Sequence, residues 1–232
     1  MRTVIFLQSL LFRNLKGAIV PILLGLAFFL IVVGLGPLNP RNIAWLDGGF
    51  DPSLHYLAWE FFRNTPWLNP IGMNPNYGLD IASSVVYSDS VPLLAIFFKI
   101  FSPYLSEPFQ YIGLWLLLCC ILQSYFAWWL IKIYINDIKI LIPATLLFLF
   151  SPPMLWRLGE HAALFGHFLI IGSLYLSLRQ EQSNRILFWS ALVACSFLVN
   201  IYIAAPIITI WFADLLDQKY TSKNISARQF SI

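Results

Sequence analysis

Charge is scarce in this chain. Only 11% of its 232 residues are Asp, Glu, Lys or Arg, against about 25% in soluble domains, which excludes a water-soluble core with a conventional polar surface. Cysteine is scarce as well. Cys119, Cys120 and Cys195 all fall inside apolar runs, and adjacent cysteines are poorly placed to bridge each other, so they read as inert packing residues. Of the three histidines, His161 and His167 are six apart, which excludes the usual helical two-histidine metal site. The net charge is only +3 and the basic residues are dispersed, which argues against a nucleic-acid partner.

What the chain has in quantity is apolar sequence, with 59% hydrophobic and 17% aromatic residues. Many of the aromatics sit near the ends of apolar runs, where amphipathic rings prefer the headgroup level. Residues 17–36 match the length of about 20 that a bilayer requires. They follow Arg2, Arg13 and Lys16, and Pro37, Leu38, Asn39 and Pro40 do not resemble a cleavage site, so this is expected to be a retained first span with a cytoplasmic N-terminus. Residues 109–131, 140–156 and 162–178 follow as spans. Residues 186–216 are too long for one span, and Asn200, Tyr202 and Pro206 mark a turn between two helices, a hairpin followed by a cytoplasmic tail over 217–232.

Residues 91–104 are short and interrupted by Lys99, which predicts a re-entrant or interfacial helix. With that choice Lys132, Lys139, Arg179, Arg185, Lys219, Lys223 and Arg228 share the cytoplasmic side, leaving Arg41, Arg63, Lys99 and Arg157 outside. The positive-inside rule favours this topology over its inverse. The expected fold is therefore an all-α, multi-pass transmembrane helical bundle of about six spans plus that short helix.

One long polar interruption stands out, residues 37–90, carrying Asp47, Asp51, His55, Glu60, Arg63, Asp80 and Asp89. The topology makes it extracytoplasmic. Asp51-Pro52 predicts an N-cap and first position for an interfacial helix over 51–64. Helical spacing puts Asp51, His55 and Trp59 on one face, with Leu54, Leu57 and Phe61 opposite. Asp89 and Ser90 repeat the arrangement before Pro92, as caps of the next helix. Between them, residues 67–78 are rich in Asn, Pro, Gly, Trp and Tyr, a turn-rich segment without regular structure whose residue types suit sugars. The turn from Ser151 to His161 is expected on the same outer face, bringing Arg157, Glu160 and His161 towards the long loop. Capping alone remains an alternative role for Asp51.

The chain resembles the N-terminal part of the GT-C-type membrane glycosyltransferases, and within that superfamily an uncharacterised bacterial group. The residues that carry the resemblance are Asp51, His55, Trp59, Phe62-Arg63, Trp67, Pro70-Ile71-Gly72, Tyr87-Ser88-Asp89-Ser90 and Pro92-Leu93-Leu94 ahead of Lys99, with Ser151-Pro152 leading to Glu160-His161. It implies a GT-C-like fold in the bacterial inner membrane. It also implies a polyprenyl-phosphate sugar donor entering from the membrane lipid and a glycan, lipid or protein acceptor. Asp51 would be general base or metal ligand, with Asp89 as a second catalytic acid. Glu160 would hold a divalent metal, Mg or Mn, with Asp51. His55, Trp59, Arg63, Trp67, Lys99, Arg157 and His161 would bind substrate, the cations holding the donor phosphate. Members of the superfamily carry more spans, which implies that this chain is partial. A component that moves a lipid-linked glycan, and a non-catalytic scaffold or enzyme remnant, are the competing expectations.

Overall fold

The first helix and the fourth pack so closely that glycine is obligatory between them. In a computed structural model, which describes residues 2–47, 50–179 and 184–229 (side chains over 17–47, 51–179 and 184–220), α1 spans Arg2–Val32 and α4 spans Ile112–Lys132. A Cβ on Gly25 would lie 2.6 Å from the Cys120 carbonyl oxygen, so only hydrogen fits there. Gly17 faces Trp129 and Lys132 near the end of α4, whereas Gly113 at its start abuts Pro37, so the two helices run antiparallel.

Nine α-helices occur among the described residues. Between α1 and α4 lie α2 (Phe50–Asn64) and α3 (Pro92–Ile100); after α4 come α5 (Ile138–Leu149), α6 (Pro152–Arg157), α7 (Phe168–Leu178), α8 (Arg185–Val199) and α9 (Ile201–Gln229). Two of them, α4 and residues Ile201–Tyr220 of α9, are long and apolar enough to cross a membrane. The expected spans at 140–156 and 162–178 are shorter helices. Pro152 and Pro153, following Ser151, open α6 at its first turn, where the missing N–H costs nothing, and the break from α5 falls just before them. A 3-10 turn over Ala163–Phe165 precedes α7. Nine residues of α3 extend only about 14 Å, short of a bilayer.

The turn-rich segment is not wholly irregular. Met73–Asn74 (β1) pairs antiparallel with Ser83–Ser84 (β2), a small ladder pinned by Asn74 Nδ2, which donates to the Ala58 carbonyl of α2 (2.9 Å). It is the one departure from an all-α chain among the described residues.

The helices α8 and α9 form an antiparallel hairpin with Asn200 at its tip. Asn200 is extended, and its Oδ1 accepts from the Tyr202 amide (2.8 Å), capping α9. At the far end, Asp214 accepts from Arg185 Nε and Nη2, Trp189 Nε1, Gln218 Nε2 and Ser177 Oγ of α7. A buried carboxylate is tolerable only with such partners. The outward faces of the helices are apolar, with Ile19, Leu23 and Ile31 on α1 and Ile201 and Phe212 on α9 exposed. Surface of this kind marks a lipid or partner interface.

Three buried aromatic donors near the start of α4 fasten the loops above it. Tyr111 donates to the Ser90 carbonyl (2.5 Å), Trp115 to the Ala162 carbonyl (2.6 Å), and Trp59 of α2 to the Phe109 carbonyl (2.9 Å). Trp59 packs edge-on against Tyr111, which stacks on Phe98 of α3. Gln110 completes the platform by donating to the Pro37 and Asn39 carbonyls and accepting from the Gly113 amide. The residues flanking Asp89 and His161 thus rest on one rigid aromatic base.

Candidate functional site

Four side chains from three distant segments converge above that base. His161 Nδ1 lies 3.7 Å from Asp51 Oδ2 and 3.8 Å from Asp89 Oδ2, and His55 Nε2 lies 3.9 Å from Asp89 Oδ2. Asn200 at the hairpin tip adds a fourth segment, its Nδ2 donating to Asp89 Oδ1 (2.7 Å). Cover decreases outward. His55 is buried at 6% exposure, the Asp89 side chain is 16% exposed, and those of His161 and Asp51 are 33% and 39% exposed.

Asp51 does not cap α2. The helix begins at Phe50, which places Asp51 inside the first turn, and among the described residues its carboxylate has His161 as partner. The expected cap at the second helix also differs. The residue preceding Pro92 at the start of α3 is Val91, with φ 51°, and no side chain caps it. Asp89, at φ 55°, and Val91 both occupy the left-handed region, which disfavours side chains with a Cβ and above all β-branched ones. Each such residue costs about 1–3 kcal/mol and persists only where its surroundings hold it.

Those surroundings are visible. Ser90 Oγ donates to the His55 carbonyl (2.8 Å) and lies 2.9 Å from Ser88 Oγ, which donates to the Val85 carbonyl. Ser90 is therefore a clasp between α2 and the Asp89 turn rather than a helix cap. His55 is held from both sides, with Nδ1 3.0 Å from the Ser88 carbonyl oxygen and Nε2 3.0 Å from the Glu160 carbonyl oxygen.

The predicted residues divide into two groups. Asp51, His55, Asp89 and His161 meet, and Glu160 joins them through its main chain; its carboxylate is not among the donors that converge. Arg157 sits one turn before His161, its carbonyl accepting from the His161 amide (3.3 Å). It is half-buried and has no ion-pair partner among the described residues.

Arg63, Trp67 and Lys99 lie at the other end of α2, about 18 Å along the axis at 1.5 Å per residue. Arg63 is buried and directs Nε, Nη1 and Nη2 to Ser102 Oγ, the Ser106 carbonyl and the Ser102 carbonyl, with Glu60 at 3.8 Å. Lys99 is buried over the rings of Phe62 (3.9 Å) and Trp67 (4.9 Å), and burial lowers its pKa. Trp59 is core, 1% exposed. These four side chains tie α2 to α3 and the chain that follows it.

Among the described residues, a metal ion would find three donors together in one place. His55, Asp89 and His161 each offer a ligand atom, all within 4.8 Å of one another. Sequence reasoning missed Asn200 as a site residue, and also Ser90, Tyr111 and Trp115 as its supports. Asn200 carried a signal, since an Asn amid a long apolar run has to find hydrogen-bond partners.

No curated protein and no solved structure matches the chain. Residues 22–231 match the model of a family described as a domain of unknown function, DUF6311. With that match covering nearly its whole length, the chain belongs to the DUF6311 family.

Proposed function

We propose that this protein is a multi-pass membrane glycosyltransferase that moves a sugar from a polyprenyl-phosphate donor to an acceptor at the extracytoplasmic face of the bacterial inner membrane. The observation that carries the reading is the half-exposed Asp51 carboxylate, held in the first turn of α2 beside His161 and a second, more buried acid, Asp89. A general base needs a carboxylate that is positioned yet open to an acceptor hydroxyl, and such a base contributes about 10²–10⁴-fold.

In the proposed reaction the acceptor oxygen attacks the anomeric carbon while Asp51 takes the hydroxyl proton. The bond from that carbon to the phosphate oxygen breaks, and polyprenyl phosphate leaves with the electron pair. Arg157 is the cation suited to the departing phosphate, because Arg63 and Lys99 are engaged in packing at the other end of α2. Six spans are part of the proposal, formed by α1, α4, the broken α5–α6 segment, α7, α8 and α9.

The test is transfer of labelled sugar from a polyprenyl-phosphate donor by membranes containing the protein. Asp51→Asn should reduce the rate about 10²–10⁴-fold with unchanged melting behaviour. Full transfer by that variant sinks the role of Asp51, and no transfer by the parent with any donor sinks the activity.

The reading in which the chain moves a lipid-linked glycan without bond chemistry is favoured by a different observation. Gln123 Oε1 and Ser124 Oγ of α4 and Thr145 Oγ1 of α5 are buried with no hydrogen-bond partner. Polar groups at mid-depth of a membrane mark transport paths. Loss of glycan export in Gln123→Leu, with Asp51→Asn unaffected, would select it.

A further inference from the structure

A neutral His55 can donate to only one of the two carbonyl oxygens that its ring nitrogens face. Both of its ring nitrogens lie 3.0 Å from carbonyl oxygens, those of Ser88 and Glu160. A neutral imidazole has one N–H to give. With that proton on Nδ1 and donated to Ser88, Nε2 turns a lone pair towards the Glu160 carbonyl, the Asp89 carboxylate and His161. Asp51 adds a second carboxylate 3.7 Å from His161 Nδ1. Among the described residues neither acid pairs with a lysine or arginine.

The other halves of these side chains are already committed. Ser88 fixes Nδ1 of His55, and Asn200 fixes Oδ1 of Asp89, so Oδ2, and Nε2 beside the Glu160 carbonyl oxygen, are the atoms that face each other. Metal-bound histidines and carboxylates are oriented in this manner by outer hydrogen bonds. Two ligands each about 2.0–2.2 Å from one ion stand roughly 3–4 Å apart, and Asp89 meets that spacing with both histidines, while the three donor atoms all lie within 4.8 Å of one another. The contacts from Asp89 Oδ2 to the two histidines are 3.9 and 3.8 Å.

We propose that His55, Asp89 and His161 bind a divalent transition-metal ion of the zinc or manganese class. Two imidazole nitrogens and a carboxylate suit such ions, whereas magnesium prefers oxygen ligands and retained water. Asp51, the most exposed of the four, remains the base at the mouth of the site. The inference deepens the transferase reading and rests on it only for the use made of the ion; binding itself is measured without any sugar transfer.

The experiment uses the full chain in detergent, stripped with a chelator and then titrated separately with Zn²⁺, Mn²⁺ and Mg²⁺. Metal content by elemental analysis and affinity by calorimetry should give one tightly held Zn²⁺ or Mn²⁺ per chain and at least tenfold weaker Mg²⁺. Asp89→Asn and His161→Gln should lose binding at least a hundredfold. Asn200→Ala, which removes the outer hydrogen bond to Asp89 together with the cap of α9, should lose roughly 10–100-fold, and His167→Gln should bind as the parent does. As a check independent of large losses, His161→Cys should keep Zn²⁺ and lose Mn²⁺, since thiolate favours the softer ion. Failure of the parent to retain either ion, equal affinity for Mg²⁺, or parent-like binding by His161→Gln overturns the proposal. In the first case the cluster is a hydrogen-bonded histidine–carboxylate network. Absence of sugar transfer by the parent with its metal bound would sink the transferase reading and leave the metal site standing.

Discussion

Replacing Asp214 by asparagine removes the charge at the end of the α8–α9 hairpin opposite Asn200. The Asp214 side chain is 2% exposed and that of Arg185 15%, so after the change a guanidinium stays largely buried without its counter-ion. The new amide also turns an N–H₂ towards donors, because Arg185, Trp189, Gln218 and Ser177 all give protons to that carboxylate. Breaking one partner out of a buried pair costs about 3–5 kcal/mol. Asparagine keeps the shape and one acceptor, which puts Asp214→Asn near the low end, about 3 kcal/mol. At about 2–4 °C per kcal/mol for a chain of this size, the melting temperature in detergent, followed by tryptophan fluorescence, should fall by roughly 6–12 °C. The double variant Arg185→Met/Asp214→Leu, which removes both charges, should recover part of that loss. A fall of less than about 2 °C in Asp214→Asn, or a double variant worse than the sum of its singles, refutes the reasoning.

Gly113→Ala places a Cβ 1.9 Å from the Pro37 carbonyl oxygen, which is main chain and cannot swing aside, so folded yield should collapse; Gly36→Ala, whose nearest neighbour would be Asn42 Nδ2 at 3.6 Å, should express as the parent does. Trp115→Phe keeps most of the ring but leaves the Ala162 carbonyl unpaired, and should cost about 1–3 kcal/mol in thermal unfolding. Arg63→Lys cannot reach Ser102 and Ser106 together and should cost about 1.5–3 kcal/mol of stability while leaving sugar transfer unchanged. Burial lowers the Lys99 pKa from 10.5, so between its folded and unfolded values the unfolded chain binds more protons and stability rises with pH. In Lys99→Met that alkaline rise in melting temperature should disappear.

The sequence shows the acids and the histidines but not their company. Asp51 and His55 are one turn apart on α2, and their shared face follows from helical spacing alone. That Asp89 joins them depends on Ser90 bonding the His55 carbonyl across thirty-five positions, which no local pattern encodes. The distribution of positive charge puts the Arg157–His161 turn on the side of the long loop, and His161 lies 3.7 Å from Asp51. Asn200, Tyr202 and Pro206 suggest a turn within 186–216, but the break falls at Asn200 alone, with Tyr202 and Pro206 inside α9, and the contact of Asn200 with Asp89 spans 111 residues. Capping logic failed at α3 because the turn before it is held by tertiary hydrogen bonds of Ser88, Ser90 and Tyr111 rather than by a cap. Arg63 and Lys99 were legible as cations and illegible as packing residues, since nothing in a sequence shows Phe62 and Trp67 closing over an ammonium.

The place where local rules break is informative about where this fold is constrained. Val91 combines a β-branched side chain, a positive φ and a following proline, three preferences that conflict, while Asp89 two residues earlier is also left-handed. A turn serving only to start α3 has cheaper solutions, including the Ser-Pro start that the same chain uses at Ser151-Pro152. What the strained turn achieves is directional: it aims the Asp89 carboxylate back at His55, His161 and Asn200 while its carbonyls grip His55 and Tyr111. Strain of about 1–3 kcal/mol per residue is held by Ser88, Ser90 and Tyr111, three buried hydrogen-bonding side chains at the foot of the site. Since the same turn both carries the strain and supplies the buried acid, the placement of Asp89 is what the local conformation serves, and the start of α3 follows from it.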